Sequence, residues 1–308
     1  MLCENESLEH NVRAMKTAAV FPGQASQFVG MCEKIHRENP KARKVFDMAE
    51  EITGMPIREL CFKGPEHLLT RTDNAQPSIV ACSLAVLRVW DGEFHLAMGH
   101  SLGEYSSLAA AGVISFEDAL ALVKVRGQLM AQADQETPGT MAAVIGMSQE
   151  DVQKALDQVD GTVILANINA PGQLVISGET KAVEQASELL KQAGARRVIP
   201  LKVSAAFHSP LMEKAAEAMR EEIAKVDFKT PKVPVVPCAT AKPTLDPDEI
   251  KNALSDQLTS PVPWIDMVQA ALKTGVESFV EVGPGKVLQG LIARIAKNAE
   301  VKPALAEI

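Results

Sequence analysis

The stretch Gly99-His100-Ser101-Leu102-Gly103-Glu104-Tyr105 (GHSLGEY) follows the apolar run FHLAM and precedes the small-residue run SSLAAAGVI. A G-x-S-x-G between a buried strand and a helix forces a turn so tight that the residues flanking the Ser must be nearly free of side chain. Gly99 and Gly103 meet that demand. The pattern commits this region to strand, reversal and helix, the unit of a layered α/β fold. Ser101 is then held out at a strand end, and the N–H of Leu102 points where a carbonyl oxygen would become an anion. On these residues alone, an activated nucleophile and an ordinary capping Ser both remain open.

The rest of the 308 residues alternates strand-like and helix-like segments. TAAVF at 17–21 reads as a strand running into Pro-Gly. Residues 76–90 have helical apolar spacing with Pro near the start, and HLAM at 95–98 is a short buried strand. Gly103–Ala111 and Ser115–Gln132 read as helices, the second capped by Ser115 with Asp118 three residues on. Residues 139–203 then give GTMAAVIGM, a helix capped by Ser148, VILANI, the turn NAPG, QLVISG, a helix closed by Gly194, and RRVIPLKVS. That order is β-α-β-β-α-β, the ferredoxin-like unit. After it come a helix at 209–226, the strand VPVVPCA, helices near 248–257 and 263–273, the strand SFVEV and a helix after GPG. The expected architecture is a large α/β subdomain with a parallel sheet over 17–137 and 205–308, interrupted by a small one over 138–204. Residues 1–16 are expected to be a disordered leader, too charged for a signal peptide.

Composition excludes several classes. A net charge of −8 offers no broad basic field, so no nucleic-acid partner is expected. The longest apolar runs fall short of the roughly 18 residues of a membrane span. The five cysteines are scattered without a C-x-x-C pair, which points to reduced thiols in the cytoplasm rather than a zinc site or disulfide framework. GPGKVL (283–288) lacks the spacing of a phosphate-binding loop and reads as a tight turn into the last helix.

A Ser nucleophile needs a base. Of six histidines, His10 falls in the leader, His36 and His67 in polar surroundings, and His95 just before the elbow. His100, next to Ser101 on a tight turn, is expected to pack beneath it. His208, in SAAFHSPLM, follows a buried strand, where α/β sites gather. Position and elimination favour it as the base. Acids between 101 and 208 fall mostly on helices, so a Ser-His-Asp hydrolase is not supported, and a main-chain carbonyl could orient the imidazole instead.

Four segments, VFPGQASQFVGM (20–31), GHSLGEYSSLAAAGVI (99–114), AAFHSPLM (205–212) and VEVGPGKVL (280–288), together resemble the malonyl-CoA:acyl-carrier-protein transacylases and the acyltransferase domains of polyketide synthases. The resemblance runs from about Thr17 to the C-terminus. It implies an α/β-hydrolase-like large subdomain beside the ferredoxin-like one. It also implies an acyltransferase of fatty acid or polyketide synthesis that carries malonyl from malonyl-CoA to acyl carrier protein, as a monomer without cofactor. Ser101 would carry the acyl group, with His208 as base and acid. The main-chain carbonyl of Gln257 would orient the imidazole. The N–H groups of Gln24 and Leu102 would bind the oxyanion, and Arg126 the malonyl carboxylate. Phe207, just before the His, goes with malonyl rather than methylmalonyl, although core packing explains it equally. Asn169, in INAPGQ, matches a family Asn facing the cleft.

The sequence departs from the family in a link between Trp90 and Gly99 that is shorter than expected, and in the loop at 22–27. Ala25 stands where the loop usually has a second Gly, and if that backbone needs a positive φ, Ala is strained there. From spacing alone Arg126 reads as a solvated helix Arg; the resemblance reverses that. A hydrolase of the same fold and a non-catalytic carrier-protein-binding subunit remain as alternatives. An acidic carrier protein would find Lys191, Arg196, Arg197, Lys202 and Lys286 as basic contacts.

Overall fold

The computed structural model describes residues 15–136, 138–201, 203 and 205–307, with only the backbone of 134–136. In chain order the elements begin with β1 (Lys16–Phe21), α1 (Glu33–Glu38), α2 (Pro40–Thr53), α3 (Ile57–Lys63), α4 (Glu66–Leu69), α5 (Thr72–Val89), β2 (Leu96–Gly99), α6 (Gly103–Ala111) and α7 (Phe116–Glu136). Next come β3 (Gly139–Ile145), α8 (Gln149–Leu156), β4 (Val163–Ala170), β5 (Gln173–Glu179), α9 (Thr180–Gln192) and β6 (Arg197–Pro200). After a 3-10 turn at Pro210–Met212 follow α10 (Glu213–Ala224), β7 (Val235–Val236), α11 (Pro247–Asp256), α12 (Trp264–Lys273), β8 (Val276–Glu281), α13 (Val287–Ile295) and β9 (Glu300–Pro303).

Five strands form a parallel sheet in the order β7-β2-β1-β8-β9. Both faces are covered, so its central strands are apolar almost throughout. In β1, alternation sends Ala19 and Phe21 to the side of α5, α6 and α7, and Ala18 and Val20 to Trp264 and Leu291 on the other side. The second sheet is antiparallel in the order β4-β5-β3-β6, with α8 and α9 packed against it. Its element order, β3-α8-β4-β5-α9-β6, is the ferredoxin-like unit. The small sheet is stitched at Val262 to the segment between α11 and α12. The Val262 N–H donates to Ala166 O (2.8 Å), and the Ile168 N–H of β4 donates to Val262 O (3.0 Å).

Several expectations need correction. The helix expected from 76 starts at Thr72, so Pro77 lies inside it. The strand read in VPVVPCA shrinks to two residues, because the flanking prolines have no N–H to give to a ladder. The helix expected from 209 opens as a 3-10 turn, capped by Ser209 Oγ accepting from the Leu211 N–H. The strand expected over RRVIPLKVS is assigned only over Arg197–Pro200; Lys202 lies outside the described residues, as does most of the expected leader. His36 is not in polar surroundings: its ring sits edge-on to Phe46 at 5.4 Å and beside Phe62 at 5.1 Å. Among the described residues no helix is long and apolar enough to cross a membrane, and Cys32, Cys61, Cys82 and Cys238 are buried free thiols.

Candidate active site

The elbow forms where β2 ends and α6 begins. A Cβ on Gly99 would run into the Gly103 carbonyl, and one on Gly103 into the Phe21 carbonyl of β1. Glycine is therefore required at both places by the closeness of other backbone. Ser101 at the tip has φ 50°, in the left-handed region that L residues disfavour. Non-glycine residues in that region cluster at functional sites, where surrounding structure holds them. His208 (φ 58°) and Ala25 (φ 79°) share the feature. At Ala25 the positive φ meets the condition under which the missing Gly matters.

The turn before α10 brings His208 to Ser101, with Nε2 2.7 Å from Oγ. On the other edge of the ring, Nδ1 lies 3.1 Å from Gln257 O and 3.1 Å from Ser260 O. Both are acceptors, so Nδ1 must carry the proton and Nε2 presents its lone pair to the hydroxyl. Burial, followed by the positive charge of Arg126, pushes the His208 pKa down to about 3. The imidazole is therefore neutral and able to accept a proton at ordinary pH.

Arg126 is not a solvated helix residue; it is 1% exposed. Nη1 donates to Gln76 Oε1 (2.8 Å), and Nη2 donates to Ser101 Oγ and to Gln257 Oε1, both at 3.0 Å. The guanidinium carbon lies 5.6 Å from the centre of the Tyr105 ring. Among the described residues no carboxylate forms an ion pair with it. A desolvated guanidinium without an anion is a site prepared for one.

A cavity of about 630 Å³ lies over this group. Ser101, His208, Arg126 and Phe207 reach it, with Gln24 and Leu102 beside them. Among the described residues the main-chain N–H groups of Gln24 and Leu102 have no hydrogen-bond partner. The Gln24 side chain donates to Thr72 Oγ1 at 3.3 Å, which ties the loop after β1 to the start of α5. Phe207 is 9% exposed and belongs to the main core as well as the cavity wall.

Asn169 does not line the cavity. Its Oδ1 accepts from His100 Nε2 at 2.8 Å, and the His100 ring packs 5.4 Å from that of Trp264. Asn167, two residues earlier in β4, faces the cavity instead. Sequence reasoning missed Asn167, Gln76 and Glu104. Gln76 had a signal in standing beside Pro77, and Glu104 lies inside the elbow motif itself. Of the proposed basic contacts, Arg196, Arg197 and Lys286 are exposed, and Lys191 pairs with Glu188 at 2.6 Å. Among the described residues no cluster of His, Cys, Asp or Glu is arranged to hold a metal.

The sequence matches the acyl transferase domain family over residues 19–306. It is 43% identical over 289 residues to the malonyl CoA-acyl carrier protein transacylase of Bacillus subtilis, spanning 92% of this chain and 91% of the relative. An acyl carrier protein S-malonyltransferase from Vibrio cholerae superposes with a TM-score of 0.90 at 42% identity, over 95% of this chain and 97% of the other. A malonyl-transacylase solved in complex with a type II polyketide-synthase acyl-carrier protein superposes with a TM-score of 0.89 at 39% identity, over 94% of each chain.

Proposed function

The chain belongs to the malonyl-CoA:acyl-carrier-protein transacylase family, and we propose that it moves a malonyl group from malonyl-CoA to the phosphopantetheine thiol of acyl carrier protein through an ester on Ser101. The observation that carries this reading is the buried Arg126, held 3.0 Å from the candidate nucleophile with no ion-pair partner among the described residues. A planar guanidinium takes a carboxylate through parallel hydrogen bonds, so this site favours a diacid thioester.

In the first half-reaction Ser101 Oγ gives its proton to His208 Nε2 and attacks the thioester carbonyl. The carbonyl electrons move onto oxygen, where the N–H groups of Gln24 and Leu102 receive them. Collapse breaks the C–S bond, and the imidazolium protonates the departing CoA thiolate. In the second half the carrier-protein thiol gives its proton to the same Nε2 and attacks the ester, and Ser101 leaves as the alcohol. The Gln257 and Ser260 carbonyls hold the Nδ1 proton throughout and stabilise each imidazolium. Phe207 narrows the space beside the malonyl α-carbon, and one methyl there is worth about 1–3 kcal/mol of discrimination. The exposed Arg196 and Arg197 are the proposed contacts for an acidic carrier protein, and the buried free thiols support a reducing cytoplasm.

Purified protein is mixed with malonyl-, methylmalonyl- or acetyl-CoA, and intact mass is read before and after addition of holo acyl carrier protein. The expected result is one malonyl group on Ser101, absent from Ser101→Ala and discharged onto the carrier protein. A wild-type protein that stays unmodified, or that only releases free malonate, overturns the reading.

A further inference from the structure

Glu104 is 0% exposed and belongs to the helix that begins at the elbow. The mechanism above does not use it. Its Oε2 accepts from Gln257 Nε2 at 2.6 Å and from the Cys238 main-chain N–H at 3.2 Å. Its Oε1 has no partner among the described residues. Burial raises its pKa, partly offset by the Gln257 and Cys238 hydrogen bonds and by Arg126.

Gln257 stands at the centre of the site. Its Nε2 donates to Glu104 and also to Ser101 O at 3.0 Å. Its Oε1 accepts from Arg126 Nη2, and its main-chain carbonyl accepts from His208 Nδ1. One residue thus touches the backbone of the nucleophile, the base and the carboxylate-binding Arg. The amide works in one orientation only. Turned over, its oxygen would face the Glu104 carboxyl and the Ser101 carbonyl, and its NH2 would face a guanidinium, leaving donors against donors and acceptors against acceptors.

We infer that Glu104 is a positioning residue for acyl transfer: its Oε2 locks the Gln257 amide, and through Gln257 it fixes both the carbonyl that aims His208 and the rotation of Arg126. The role needs an acceptor at Oε2, which a carboxylate, a carboxylic acid and a Gln amide can each supply. It therefore does not depend on the charge of Glu104. The inference rests on the proposed function, since the rate it governs is malonylation of Ser101.

The test measures the single-turnover rate of malonyl-Ser101 formation at saturating malonyl-CoA, alongside the thermal midpoint, for full-length Glu104→Gln, Glu104→Ala, Glu104→Met and Gln257→Ala. Loss of the acceptor in Glu104→Ala is expected to slow acylation at least about tenfold. Glu104→Gln should stay within about threefold of wild type even though its new buried N–H lowers the thermal midpoint. In a Gln257→Ala background, Glu104→Ala should change the rate by less than about twofold, because both substitutions cut one linkage. If the Ala variant does not fold, Met fills the same space without an acceptor of that strength and carries the same expectation. A folded Ala or Met variant with the wild-type rate overturns the inference. So do losses that multiply with Gln257→Ala, a rate that merely follows the thermal midpoint, or a Gln257→Ala variant that is not slowed. A wild type that forms no adduct sinks the proposed function itself; a wild type that does, beside unslowed variants, sinks only the role of Glu104.

Discussion

Arg126 Nη2 donates to Ser101 Oγ at 3.0 Å, so the cation proposed to hold the substrate's carboxylate also touches the hydroxyl proposed to attack it. The contact favours the alkoxide over the alcohol, and the same charge disfavours the imidazolium of His208. Binding of a carboxylate would neutralise the guanidinium and relieve that pressure on the base.

Arg126→Lys should therefore do more than weaken binding. An ammonium cannot keep hydrogen bonds to Gln76, Gln257 and Ser101 while gripping a carboxylate in two places. We expect kcat/KM for malonyl-CoA to fall by about 2–4 kcal/mol of transition-state binding, roughly 30- to 1000-fold. The ratio of acetyl to malonyl transfer should rise in the same variant, measured by intact mass. A Lys variant with unchanged selectivity would exclude Arg126 as the carboxylate grip.

The pH dependence has a definite sign. With His208 held down to about 3, the acid limb of kcat/KM should lie far below the ordinary imidazole value of roughly 6.5. Removing the charge in Arg126→Gln should move that limb upward. For stability, the unfolded chain binds a proton at this His as pH falls through about 6.5, while the folded chain resists until about 3. Stability is fully present above that upper value and is lost across the window at up to about 1.4 kcal/mol per pH unit. Urea midpoints taken from neutral pH downward should show a steeper loss for wild type than for His208→Gln.

Ala25 offers a gain rather than a loss. A left-handed non-glycine residue costs about 1–2 kcal/mol, and Ala25 sits at φ 79°. Ala25→Gly should recover about 1 kcal/mol, less a few tenths for the added freedom of the unfolded chain. The measurement is the thermal midpoint, with acylation rate as control. A lower midpoint would mean that the Ala methyl makes contacts worth more than the strain.

The elbow was legible in the sequence because close approach leaves only glycine at positions 99 and 103, a local constraint that local sequence records. The ferredoxin-like unit was legible because its strands and helices keep clean periods, with Ser148 as a cap accepting from the Asp151 N–H. The helices between 33 and 69 went unread although α2 carried the signal, with buried Ala42, Val45, Phe46 and Ala49 at helical spacing. β9 was missed for a different reason: it is a four-residue edge strand ending in Pro, whose alternation is too short and too polar to stand out. The burial of Arg126 could not be read from spacing, because its partners Gln76 and Gln257 lie 50 and 131 residues away in the chain. The same distance hid the link from Glu104 to Gln257, 153 residues apart.

The stitch at Val262 bears on how the long thioester of the proposed reaction would enter. Val262 is fastened to β4 on both its N–H and C=O, and two residues earlier Ser260 O meets the His208 ring. A movement of the small sheet away from the segment between α11 and α12 would pull on the peptide that carries Ser260 O, one of the two acceptors for the His208 ring. Opening of that kind would therefore disturb the His208–Ser101 contact. Under the proposed function, a thioester arm that instead threads lengthwise into the cavity leaves His208 set against Ser101 as it enters.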